Sequence, residues 1–400
     1  TALDVSRMSL EQYQALDPHK AKEIRTQAKR VNFGCVPLDT EALTRLGWRT
    51  HDQIRVGDEV LGYRDGKAVW VRVTGKVFHE FAPVVELSTK NLSFETTPDH
   101  RWVAERRVDR GRGGRAYETR EVRTAQIRPE TRIRLSAPLD AKCALPITVV
   151  EAALIGWLAT DGHTFVVPLT CRTAQGRDGT RRKHFGCVYQ SKPVGVAALE
   201  KLFSQIPHTR RLRPTGIHEF NVRASYMRDL WTRARLETLT LEEFVLRLGT
   251  DELAAFVEAT FLAEGSTDEK GGRVLTQNEG ACADALKLAV HLSGYFARQS
   301  DSDEYVRKDG VVSISTKIRF GRPFVTGQRL KPCGERMTSV WCLQTESGNW
   351  TMRHRGQIML TGNCLYGGGP PALMSALKKD GVFLTLDECA DLLRRYFAAR

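Results

Sequence analysis

The chain has 400 residues, with 60 Lys and Arg against 47 Asp and Glu, giving a formal charge of +13 and a pI near 9.4. Its 41% hydrophobic and 27% charged content excludes a disordered chain and allows two or three domains with proper cores. The longest apolar run, ITVVEAALIGWLAT (147–160), has 14 residues and contains Glu151, which excludes a membrane span and predicts a cytoplasmic protein. Nine cysteines without a CxxC pair predict reduced thiols and no zinc site. Without a signal peptide or initiator Met, the chain reads as cut from a longer one. Residues 1–34 and 364–400 carry +2 and +1, so 35–363 hold +10 of the charge, which calls for a polyanionic partner, most simply nucleic acid.

In chain order, residues 1–34 read as a basic helix in which Arg25, Lys29 and Phe33 recur every four positions. At Cys35 the period stops, and TRLGWRTHDQIRVGDEVLGY takes the alternating, Gly-punctuated pattern of strands and turns. The interrupted pattern resumes at the far end, in LTGNCLYG (360–367) and a Leu-rich helical segment to Arg400. Joining Gly34 to Cys364 aligns Arg25, Lys29 and Phe33 with Tyr366 and Gly367. This resembles the RxxxKxxxFxxxYG fingers helix of family-A DNA polymerases, in which the cations hold the incoming triphosphate and the aromatics stack near the nascent base pair. The resemblance covers only the 71 flanking residues and includes no metal-binding carboxylates, so it implies a polymerase fragment whose partner is the rest of its host.

The segment between those halves resembles an intein in Cys35, Asn363 and Cys364. The resemblance implies that Cys35 attacks the Gly34 carbonyl, Cys364 takes over the acyl chain, and Asn363 cyclises to cut behind itself. Each attack is intramolecular, with effective molarities of roughly 10⁵ M or more within reach, and no cofactor is required. Within NLSFETTPDHRW (91–102), Thr97 and His100 supply the family's TxxH pattern. That pattern assigns Thr97 to holding the scissile bond and His100 to protonating the leaving amide. Two positions depart from the family: Gly362 stands where a His usually precedes the terminal Asn, and Asn349 where a second His is common. His354, in MRHRGQ, reads as part of a hairpin turn with a structural role. A rarer intein class, marked by a Trp, a Cys and a Thr, is matched by Trp102, Cys342 and Thr361. It implies that Cys342 receives the acyl group, directly or from Cys35; the reading adopted is Cys35 first.

Inside the segment, LIGWLATDG (154–162) and VEATFLAEG (257–265) resemble the LAGLIDADG motif of homing endonucleases. Small residues at Gly156, Ala159, Ala259 and Ala263 let two such helices approach closely, which places Asp161 beside Glu264. The resemblance implies that these two carboxylates hold divalent cations, Mg²⁺ by expectation, and cut both strands of double-stranded DNA, the intein-free polymerase gene. A repeat accompanies the motifs: a strand ending in Gln190 or Gln277 and then a helix follows each one. HEFNVRAS and VSISTKIRFG read as basic strands suited to a major groove, and the Arg-rich stretch 104–123 as a loop or added DNA contact.

The expected fold is α+β. A β-rich horseshoe splicing domain (35–145 and 331–363) is interrupted by a duplicated αββαββα nuclease (146–330), pseudo-dimeric within one monomeric chain. Helical polymerase fragments flank it at 1–34 and 364–400. Self-splicing with DNA cleavage is the leading function. Its alternatives are an intein whose nuclease is a DNA-binding relic, an inert insertion, and a cleavage-only domain, the last disfavoured because Cys364 follows Asn363.

Overall fold

The computed structural model describes residues 34–110, 114–172, 178–306 and 312–363, with a few positions from 383 to 391. The expectations for Arg25, Lys29, Phe33, Cys364 and Tyr366 fall outside the described residues. Among the described residues no helix is long and apolar enough to cross a membrane.

A nine-stranded sheet is built from segments at both ends of the interior. Its spine is the 23-residue strand Lys67–Thr89, antiparallel to Lys331–Thr345 from Ser88↔Lys331 to Val73↔Thr345, with three register shifts that bend the ribbon. Two tight hairpins complete it. Glu59–Arg64 turns back into Lys67–Thr89 at Asp65-Gly66, and Asn349–His354 into Gln357–Gly362 at Arg355-Gly356. All four turn residues have positive φ, the primed geometry that matches strand twist and suits Asp-Gly. Trp102, Trp341, Trp350 and Phe94 fill the core under this sheet, each with no more than a trace of exposure. The Arg-rich stretch expected as a loop is instead an ordered hairpin: Arg101–Arg110 pairs with Gly114–Arg123, starting at Arg101↔Arg123. Alternation in WVAERRV outweighs the loop signal of its glycines, and Arg101–Glu121 and Arg123–Asp99 ion pairs close the base.

Between Leu139 and Phe324 the chain forms a second unit with six helices among the described residues. These are α1 (Val149–Thr160), α2 (Pro193–Phe203), α3 (Ala224–Arg233), α4 (Leu241–Val245), α5 (Thr250–Glu264) and α6 (Ala281–Leu292). Two four-stranded antiparallel sheets accompany them, one from 162–222 and the other from 265–321. The first half runs helix, two strands, helix, two strands, helix. The second runs the same way but, among the described residues, without a closing helix. Its chain continues instead into Phe324–Thr326, which pairs with Arg132–Arg134 and returns to the first unit.

Helix α1 starts at a capping box in which Thr148 and Glu151 satisfy each other's backbone amides. Both α1 and α5 bury residues on more than one face, because they pack on each other as well as on the sheets. Contact is closest at Gly156, where a Cβ would stand 2.7 Å from the Phe256 carbonyl oxygen and 3.1 Å from the Ala259 Cβ. Backbone on the far side cannot swing away as a side-chain tip could. Gly156→Ala is therefore expected to destabilise the fold by about 1–3 kcal/mol, despite alanine's better helix propensity. Chemical denaturation followed by fluorescence checks it: a stabilised variant would contradict the close approach.

Candidate functional site

The two ends of the 329-residue interior meet on one turn. Strand Leu92–Thr96 ends at Thr97, and the His100 amide bonds the Thr97 carbonyl at 3.0 Å, closing a turn that leads into the strand from Arg101. The N-terminal junction lies against it. The Cys35 amide donates to Thr97 Oγ1 at 2.9 Å, and the Thr97 amide donates to the Cys35 carbonyl at 3.0 Å. A Cβ on Gly34 would stand 2.9 Å from the His100 Cα and 3.2 Å from the Asp99 carbonyl. The C-terminal junction comes from the other side. A Cβ on Gly362 would meet the Arg101 carbonyl oxygen at 2.4 Å, and Thr361 Oγ1 lies 2.5 Å from His100 Nε2. The sequence-level departure at Gly362 thus has a steric cause, since a histidine there would collide with backbone.

Cys35, Thr97, His100, Trp102, Cys342 and Thr361 all converge here. Val36 pairs with Trp341 and Pro37 with Val340, so the register carried back one residue sets Cys35 across from Cys342. Both cysteines are fully buried and share one cluster with Val84 and Val340. The Cys342 sulfur lies 3.3 Å from the Leu343 carbonyl oxygen and 4.0 Å from that of Gly362. The Trp102 ring meets the His100 ring edge-on at 4.9 Å between centroids. Sequence reasoning missed Thr124, which ties this group together across the Arg-rich hairpin. Its amide donates to the His100 carbonyl at 2.8 Å, its hydroxyl accepts from the Trp102 indole at 2.9 Å, and Thr96 Oγ1 lies 2.9 Å away. Nothing in its local sequence signals that role.

Asn363 is half-buried beside Thr345 and donates its amide to the Gly348 carbonyl at 2.9 Å. Asn349 does not reach it: its side chain accepts from the Tyr63 amide at 2.5 Å and donates to the Tyr63 carbonyl at 3.0 Å. His354 is buried at the opposite end of the hairpin, with Nε2 3.4 Å from Asp39 Oδ2 and its pKa lowered chiefly by burial.

In the second unit, Asp161 caps α1 and Glu264 ends α5, and their carboxyls hydrogen-bond each other. Burial raises the pKa of both; for Glu264 the Asp161 charge adds to it, and for Asp161 the Lys192 ammonium opposes it. Gln190 Nε2 donates to Asp161 Oδ2 at 2.7 Å, and Lys192 Nζ donates to the Ala263 carbonyl at 2.9 Å. Lys192, two residues past Gln190, went unnoticed because the other repeat has Glu279 in its place. Two carboxyls that share a proton have converging oxygens, so this donor set fits a divalent cation in the proton's stead.

A cleft of about 630 Å³ lies between the second sheet and strand Phe324–Thr326, lined by Arg273, Arg298, Arg319, Arg322 and Arg329. Arg273 pairs with Glu258 and Arg319 with Asp268. Among the described residues the other three have no carboxylate partner. Arg298 Nε is buried without a hydrogen-bond acceptor, and burial, with Arg319 and Arg329 nearby, lowers its pKa. Cations held together at such cost suit a polyanion.

No protein-family model and no curated protein matches the sequence. Among solved structures, I-DmoI in complex with DNA and Ca is 14% identical over 42% of this chain and 82% of its own, with a TM-score of 0.28. The MchDnaB-1 intein is 28% identical over 24% of this chain and 65% of its own, at 0.18. A G-1F mutant of the Ssp DnaB mini-intein variant M86 is 13% identical over 27% and 65%, at 0.21.

The raised carboxyl pair has a thermodynamic signature. It binds protons more tightly folded than unfolded, so its stabilising contribution is present at low pH and lost as pH rises through the raised pKa. Asp161→Asn removes that loss. The variant is expected to melt at a higher temperature than the unchanged protein at neutral pH without divalent cations. The gap should close toward pH ~4, where both carboxyls are protonated anyway. A variant that melts lower at neutral pH would contradict the shared proton.

Proposed function

We propose that the chain is a self-splicing element. It excises residues 35–363 and joins Gly34 to Cys364, which restores a family-A DNA polymerase fragment. One observation carries this reading: both junctions press glycine backbone onto the Thr97–Arg101 turn, although 329 residues separate them. Cys35 Sγ attacks the Gly34 carbonyl carbon, the Gly34–Cys35 C–N bond breaks, and the amine takes up a proton. Thr97 and the turn hold that bond in place, with His100 as the acid. The Cys364 thiol then accepts the acyl group and frees Cys35. Asn363 Nδ2 attacks its own main-chain carbonyl carbon, breaking the bond to Cys364. The freed Cys364 amine finally takes the acyl group from its own sulfur as a peptide. All bonds made and broken lie within the chain, so no cofactor is used.

A second route is favoured by the burial of Cys342 beside Cys35. In it Cys342 receives the acyl group, and Trp102 and Thr361 hold His100 for that attack. The two routes separate by mutation. With Cys35 first, Cys35→Ala abolishes cleavage after Gly34 and Cys342→Ala only slows it, read by mass of the purified products. Asn363→Ala with Cys364→Ala should abolish the 71-residue ligated product under either route. Continued ligation would sink the splicing reading.

The second unit is proposed as a homing endonuclease acting on double-stranded DNA at the polymerase gene lacking the insertion. Asp161 and Glu264 would hold Mg²⁺, which when bound offsets charge on the phosphodiester's leaving oxygen. Gln190 orients Asp161, Lys192 adds a cation beside the pair, and the arginine cleft holds backbone phosphates. The alternative is a DNA-binding relic. Asp161→Asn or Glu264→Gln is expected to abolish cutting of a duplex encoding RVNFGCLYG while leaving binding and splicing in place. Binding should weaken steeply with salt, the log–log slope falling by about one for each arginine of the cleft neutralised. Tight binding without nicking under any divalent metal would mark a relic, and indifference to the duplex would remove the DNA reading.

A further inference from the structure

Asn cyclisation needs help, because a neutral amide nitrogen is a poor nucleophile. It must lose a proton to attack, and the charge this leaves on the side-chain amide is shared with Oδ1 until the new bond passes it to the main-chain carbonyl oxygen. The side chains expected to assist do not. Gly362 has no room for an imidazole, and Asn349 is held by both the Tyr63 amide and its carbonyl. His354 pairs with Gln357 while Asn349 pairs with Gly362, so the imidazole lies five residues along the strand, about 17 Å away.

Thr345 sits where the missing groups would act. It is buried at the end of strand Lys331–Thr345 and touches both ends of the Asn363 side chain. Asn363 Nδ2 donates to the Thr345 carbonyl at 3.1 Å, and the Thr345 hydroxyl lies 3.3 Å from Asn363 Oδ1. The Asn363 amide, bonded to Gly348, fixes the main chain while the side chain is held. From this geometry we propose that Thr345 positions and polarises the Asn363 amide for cyclisation, in place of histidine. The proposal rests on the splicing reading.

The chemistry balances within the chain. Nδ2 forms a bond to the Asn363 carbonyl carbon, the bond from that carbon to the Cys364 nitrogen breaks, and a proton passes from Nδ2 to the departing amine. Thr345 changes no bond. Its carbonyl aligns one N–H and thereby the nitrogen that attacks, and its hydroxyl bonds Oδ1 as negative charge collects there. The hydroxyl has one proton to give. At rest the Asn349 carbonyl, at 2.7 Å, takes it, while the Asn349 amide donates to the same oxygen at 3.2 Å. Rotation toward Oδ1 is favoured only as charge develops there, so the hydrogen bond favours proton loss from Nδ2 and raises the nitrogen's nucleophilicity without holding the resting amide.

The test compares Thr345→Val and Thr345→Ser with the unchanged full chain. It follows release of residues 364–400, from Asn363 cyclisation, against release of residues 1–34 by added thiol. Val should slow the first about 10- to 100-fold and spare the second, and Ser should restore the first. A slope of C-terminal release against pH that differs between Val and Ser would further mark a group acting on proton loss. Equal rates in all three chains would overturn the proposal. So would loss of both releases in Val, which means a structural role, or failure of Ser to restore. If the unchanged chain releases neither end, the splicing reading itself fails.

Discussion

Two glycines without room for a side chain govern the first unit. Gly34 and Gly362 lie so close to the backbone of Asp99–Arg101 that a methyl group on either would have to displace main chain. That approach turns the ends of a 329-residue segment into neighbours, and it does so before any chemistry begins. The entropy of bringing the two ends together is thereby settled during folding. The same constraint has a cost. A position pressed onto Arg101 cannot carry an imidazole, so in the proposed reaction any help for Asn363 would come from groups approaching from the sheet.

The junctions can be held this tightly because the frame beneath them is long. Strand Lys67–Thr89 and strand Lys331–Thr345 are antiparallel over most of their lengths, although roughly 250 residues separate them. The second unit fits between because its own ends return to neighbouring strands, Arg132–Arg134 on entry and Phe324–Thr326 on exit. Folding must close that long loop, but loop entropy grows only logarithmically, and the inserted unit has its own core. The seam is more than a join: Ser136 Oγ donates to the His291 carbonyl at 2.7 Å, and the arginine cleft opens beside it.

Much of this was legible in the residues. Cys35, Asn363 and the TxxH run stand at spacings that constrain one another, and two nonamers with small residues place Gly156 and Ala259 in contact. Hairpin turns were readable from Asp65-Gly66, because only particular residues accept positive φ. What escaped were the residues whose role depends on a distant partner. Thr124 holds His100 across the hairpin Arg101–Arg123, and Thr345 reaches Asn363 across a strand turn. A threonine in a strand has the same local pattern whether or not its hydroxyl has such work. The Arg-rich stretch misled for the opposite reason, since its glycines gave a loop signal while 101–110 and 114–123 pair as strands.

The carboxyl pair follows the same logic as the glycine junctions, with a different balance of energies. Close approach at Gly156 brings α1 and α5 together, and their ends then deliver Asp161 and Glu264 into hydrogen-bonding contact. Packing alone gains nothing from two acids there, because burial pushes both pKa values up, the Asp161 charge adding to it for Glu264, and a neutral residue would fill the space at lower cost. Under the proposed nuclease reading, a divalent cation in place of the shared proton would offset that cost. Gln190 and Lys192, both directed at the same helix ends, restrain the pair without neutralising it. Lys192 in particular opposes the Asp161 shift while donating one hydrogen bond to the Ala263 carbonyl.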